Sequence, residues 1–277
     1  MAQLPSGNVP LIHRLLRWLR PAPATLDDAL WQQVCQRSVL IAGLPPARAS
    51  QLRGLAAWFL KRKTITPLAG LELGQGDRAL LAALCCLPLA RLDKAGLQGW
   101  SQLLVYPEAF RVQRSHLDAS GVLHQWDDEI IGEAWQDGPL ILSWADVLAD
   151  LEQPDAGFCV VVHEMAHKID ALDGVLDGTP PLDRTWQRQW AADFQAAYDA
   201  FCAQVDAGIE TSIDPYAAEA PEEFFAVLSE YHFSAPQQLA QAMPLVAGHL
   251  ERYYGRSPMQ PVTMTAEAAM LTGPAAT

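Results

Sequence analysis

The chain has 277 residues, half of them apolar, enough to bury a sizeable core in one large domain or two small ones. Its formal net charge of −13 is uneven, with +7 in residues 1–63 and −20 in residues 64–277, and an acidic body argues against nucleic acid as a direct ligand. No apolar run of about 18 residues occurs, which excludes a transmembrane helix, and five cysteines at no metal-ligand spacing read as free thiols in a reducing compartment.

In chain order, residues 11–20 (LIHRLLRWLR) read as a short basic amphipathic helix. Arg14, Arg17 and Arg20 interrupt its apolar residues, so no secretory h-region forms and a cytoplasmic location is expected. Helices follow over residues 26–44, up to Pro45-Pro46, then 47–63, closing on three cations, and 76–90. Residues 64–67 (TITP) read as a turn or short extended piece. The texture changes at Trp100: residues 102–106, 122–126, 130–135 and 140–144 are short, aromatic and β-branched, and predict a small antiparallel sheet. Pro139 makes residues 140–144 its edge strand.

The chemistry centres on residues 160–170, which contain His163-Glu164-Met165-Ala166-His167. Two imidazoles four residues apart on one helix face can reach a single Zn²⁺, and the glutamate between them is placed to act on a metal-bound water. Asp155 is the expected N-cap and Gly174 the expected C′ residue, while Phe158, Val161, Val162, Met165, Ile169 and Leu172 form an apolar stripe. His163, His167 and Asp170 share a different face, so Asp170 is placed to orient an imidazole from behind, or simply to serve as a surface or capping carboxylate. Residues 173–181 cluster Asp and Gly without the spacing of a calcium loop. Trp186, Trp190, Phe194, Tyr198 and Phe201 mark a core-packing helix, and residues 222–233 and 237–254 a last helical pair.

A catalytic zinc site needs a third protein ligand and an open position. No third histidine follows at metzincin spacing, which leaves Glu219, Glu222, Glu223, Glu230 and, as an outsider, His232. With Pro221 at a helix N1 position, Glu223, Val227 and Glu230 share a face and Glu222 points about 100° away.

HEMAHKIDALDG (163–174), SIDPYAAEAPEEFFAVLSEYHFSAP (212–236), GPLILSW (138–144) and LLVYPEAF (103–110) resemble the Mlc titration factor A family of bacterial zinc peptidases, itself similar to the lethal-factor-like gluzincins. The likeness covers most of residues 50–255. It implies an α+β, predominantly helical fold with a zincin-like core, one Zn²⁺ per chain held by His163, His167 and Glu223, and Glu164 as general base. It also puts Tyr216, seven residues before Glu223, in the position of an oxyanion donor. Glu230 is then left to support a ligand from behind. Family members are described as aminopeptidases that also bind and inactivate the Mlc repressor of glucose-uptake genes, so a peptide substrate and the Mlc repressor are the implied partners. Three regions are expected: a helical region over 1–99 packed on the core, a catalytic region over 100–256, and a tail over 257–277 with little to fold around. The competing expectation is a regulatory binding protein with a structural or weakly active zinc site. Glu164 argues against it, because a structural site has no use for that carboxylate.

Overall fold

The computed structural model describes residues 26–260 apart from 109, 118–122, 131 and 135–137; the amphipathic stretch 11–20 and most of the tail lie outside the described residues. Helices α1 (Asp28–Arg37), α2 (Val39–Ala42), α3 (Pro46–Arg62) and α4 (Gln75–Cys86) open the chain. The single helix expected over 26–44 is split at Ser38, whose extended backbone breaks it. Helix α4 (QGDRALLAALCC) is buried from Ala79 to Cys86, so it is apolar all round as an internal helix must be.

Four strands form one sheet in the order β1 (Thr64–Pro67), β2 (Gln102–Tyr106), β6 (Leu140–Ser143), β5 (Gly132–Ala134). The first three run parallel and only β5 is antiparallel, which corrects the antiparallel sheet expected from the sequence. Residues 64–67 turn out to be a strand, and the segment from β1 to β2 carries α4, a crossover of the kind that parallel pairing requires. Strand β6 is interior rather than the expected edge. Pro139 precedes its first paired residue, Leu140, and so removes no ladder donor. A separate hairpin, β3 (Phe110–Leu117) with β4 (Leu123–Ile130), lies between β2 and β5 in sequence; β3 was not expected.

Helix α5 (Trp144–Glu152) follows β6, capped by Ser143. Then come α6 (Val160–Asp170), α7 (Arg184–Asp206), α8 (Pro221–Ser234), α9 (Pro236–Ala242) and α10 (Pro244–Tyr254). The helix expected over 237–254 is two, divided at Met243 before Pro244. One hydrophobic cluster joins the N-terminal helices to the rest: Leu80, Leu81 and Leu84 of α4, Leu103 and Leu142 of the sheet, Val162 and Met165 of α6, Trp190 of α7 and Phe225 of α8. Cys85, Cys86 and Cys159 are buried free thiols in it, whereas Cys35 and Cys202 are partly exposed. Burial pushes the Cys85, Cys86 and Cys159 thiols well above their usual range.

Candidate metal centre

Helix α6 carries HExxH at its middle. Ten of its eleven residues are buried, with the apolar Val161, Val162, Met165 and Ile169 packed in the core. On its back, the Lys168 ammonium donates to the Gly138 carbonyl at 3.0 Å, just ahead of β6. Its start differs from expectation: Cys159, not Asp155, is the N-cap, and it offers no side-chain bond. Gly157 has φ 93°, which interrupts the chain between Asp155 and the helix. Phe158 and Leu172, expected in the stripe, lie outside the helix and are exposed. The amides at the start of α6 are taken by distant carboxylates: Glu230 accepts from Cys159 N at 2.6 Å and Asp150 from Val160 N at 2.7 Å. They satisfy donors that a helix start leaves open. The Asp150 contact was not visible in the sequence, whereas Glu230, expected to support a ligand from behind, reaches an amide 71 residues away. Gly174, at φ 95°, closes the 3₁₀ turn that follows α6 rather than α6 itself.

Helix α8 begins at Pro221 and brings Glu223 to α6 in its first turn. Glu223 Oε2 lies 3.0 Å from His163 Nε2 and 3.4 Å from His167 Nε2, and the two imidazole nitrogens are 3.1 Å apart. The other candidate third ligands are not in this cluster: among the described residues His163, His167 and Glu223 are the group that could hold a metal ion. His232 instead pairs with the Gly255 carbonyl.

These three atoms suit a cation. Glu230 Oε1 accepts from His163 Nδ1 at 2.8 Å, which places the His163 lone pair on Nε2, toward Glu223 and His167. Glu223 Oε2 is buried and takes no hydrogen bond despite its two close nitrogens. Electron-rich atoms therefore converge on one point. A tetrahedral ion with bonds of 2.0–2.1 Å separates its ligand atoms by about 3.3–3.5 Å, close to the spacings found.

Glu164 is 2 % exposed, and its Oε2 has no partner. Burial pushes its pKa up to about 7, against the pull of His163 and His167. Tyr216, on the 3₁₀ turn Pro215–Ala218, is half exposed, and its ring centre lies 6.1 Å from that of His163. Burial and Glu223 raise its phenol. Asp170 Oδ2 accepts from Gly178 N at 2.7 Å, on the loop after α6, while Asp170 Oδ1 and His167 Nδ1 make no hydrogen bond.

The family model described as "Glucose-regulated metallo-peptidase M90" matches residues 14–255, a span that includes every residue of this cluster. The chain belongs to that family. That membership makes the chain metallopeptidase-like, and the His-His-Glu group is one that could bind a metal. Mlc titration factor A of Enterobacter sp. (strain 638) is 36 % identical over 251 residues, covering 89 % of this chain and 94 % of that protein. The Klebsiella pneumoniae (strain 342) protein of the same name is 38 % identical over 233 residues, 83 % of this chain and 87 % of that protein. Among the described residues no helix is long and apolar enough to cross a membrane.

Proposed function

We propose that the chain is a zinc-dependent aminopeptidase of the gluzincin type, acting on small or unstructured peptides, with one Zn²⁺ held by His163, His167 and Glu223. The observation that carries this reading is the convergence of the three ligand atoms, 3.0–3.4 Å apart, beside the buried and partnerless Glu164 Oε2. When bound, the metal supplies Lewis-acid polarisation of the scissile carbonyl and acidifies water. Glu164 takes the proton of the attacking water and passes it to the leaving amine. Tyr216, half exposed at the rim, donates its hydroxyl proton in a hydrogen bond to the developing oxyanion. Glu230 holds His163 in one tautomer, and Asp170 braces the end of α6.

One finding favours a second role beside this one. The relatives are named Mlc titration factor A, and we extend from that name a binding role toward the Mlc repressor in the cytoplasm, where free thiols persist. Metal analysis of the purified protein, with hydrolysis of an aminoacyl nitroanilide panel before and after chelation, tests the enzymatic reading. Stoichiometric zinc and chelator-sensitive hydrolysis are expected. Absence of metal uptake together with no zinc-stimulated hydrolysis rejects it.

A further inference from the structure

Three helices and one loop meet at Gly178. Its N–H donates to Asp170 Oδ2 at 2.7 Å, at the end of α6. Its carbonyl accepts from Trp190 Nε1 of α7 at 3.2 Å. Its α-carbon is pressed against the start of α8, where a side chain would overlap the Pro221 carbonyl oxygen and lie 3.0 Å from the Pro221 carbonyl carbon. Gly178 is buried, and its φ of 80° is one that side chains disfavour. Pro221 stands two residues before Glu223.

We infer that Gly178 is a positioning residue for the metal centre, setting the distance between the helix that carries His163 and His167 and the helix turn that carries Glu223. The inference rests on the ligand reading above. One residue ties α6, through Asp170, to the backbone that begins α8, so movement at Gly178 is transmitted to Glu223 within one helical turn. The indole of Trp190, bonded to its carbonyl, fixes that residue from the third side. A methyl group at 178 displaces Pro221 away from α6, because a backbone carbonyl in a helix start cannot rotate aside as a flexible side chain does. The ligand triangle opens on its Glu223 side. Supporting partners of metal ligands typically account for 10- to 100-fold in affinity.

The test compares zinc affinity and the visible spectrum of the Co²⁺-loaded protein in full-length Gly178→Ala, Gly208→Ala and Glu223→Ala. Gly208 has a similar φ of 68°, but nothing lies within 4 Å of the place its side chain would take. Gly208→Ala therefore reports the backbone penalty alone. Gly178→Ala is expected to bind zinc 10- to 100-fold more weakly and to lose intensity in its tetrahedral Co²⁺ bands, while Gly208→Ala lowers the melting temperature and keeps both readouts. Parent-like affinity and spectrum in Gly178→Ala, with Glu223→Ala impaired, overturn the positioning role and leave the ligand reading standing. Parent-like zinc binding in Glu223→Ala overturns both. Should Gly178→Ala fail to fold, Asp170→Ala, which removes the acceptor without adding bulk, decides: an affinity within twofold of the parent overturns the inference.

Discussion

Glu230 grips His163 and the opening of the metal helix with one carboxylate, Oε1 at 2.8 Å from His163 Nδ1 and Oε2 at 2.6 Å from Cys159 N. The imidazole and the helix that carries it are thus fixed against α8, the helix that also presents Glu223. The two glutamates stand seven residues apart, about 10 Å of helix rise, and they divide the work: one faces the ligand side of the ring and the other faces its back. Glu223→Ala is expected to lose zinc outright. Glu230→Ala is expected to keep it with 10- to 100-fold weaker affinity. Zinc stoichiometry and chelator competition on both variants check the division, and the opposite ranking would sink the assignment.

Glu164→Gln preserves the shape of the side chain and removes its capacity to accept a proton. Zinc content is expected to stay at the parent level while the hydrolysis rate falls by about 10²- to 10⁴-fold, the range a general base contributes. Steady-state hydrolysis with metal analysis on the same sample measures both. Undiminished turnover would point to a different base.

Asp150 replaces the side-chain cap that α6 lacks, accepting from Val160 N at 2.7 Å. Asp150→Ala leaves that amide without its partner and is expected to cost about 1–2 kcal/mol of stability, the upper part of the range for a lost helix cap. Asp150→Asn keeps an acceptor and should cost less. Because burial raises the Asp150 carboxyl to about 7, its folded state binds a proton more readily than the unfolded chain. Its contribution therefore favours folding increasingly as pH falls from about 7 toward the usual carboxylate range. Denaturant melts of the three proteins at pH 5 and pH 8 check both the size and the sign.

His232 acts with the opposite sign. It is buried, bonds through Nε2 to the Gly255 carbonyl at 3.0 Å, and burial depresses its pKa to about 4. The unfolded chain takes up the proton first, so the stability associated with neutral His232 is intact above about pH 6.5 and is lost as pH falls toward 4. A shift of that size corresponds to about 3 kcal/mol across the window. His232→Gln is expected to flatten the difference in stability between pH 7 and pH 4 relative to the parent. Identical pH profiles for the two proteins would count against it.

Much of the site is readable from spacing because helices make spacing into geometry. His163 and His167 at i and i+4 had to share a face, and Pro221 fixed which turn of α8 would hold Glu223. Strands offer no such lever for direction. The alternation in residues 102–106 and 140–143 is the same whether the strands run parallel or antiparallel, and the deciding fact was that TITP, four residues ending in proline, forms β1. Long-range polar contacts were equally hidden. Nothing local to Asp150 or Gly178 indicates that their partners lie on α6 or against Pro221, since each contact exists only after the helices have packed.

The five thiols form two chemically distinct sets. Cys35 and Cys202 are partly exposed, while Cys85, Cys86 and Cys159 are sealed in the core, and Cys159 is the residue from which the metal helix springs. A maleimide or disulfide reagent therefore meets two reactive sites at once and three only when the interior opens. The labelling of Cys159 is a clock for the release of α6, and metal bound by His163 and His167 is expected to slow it.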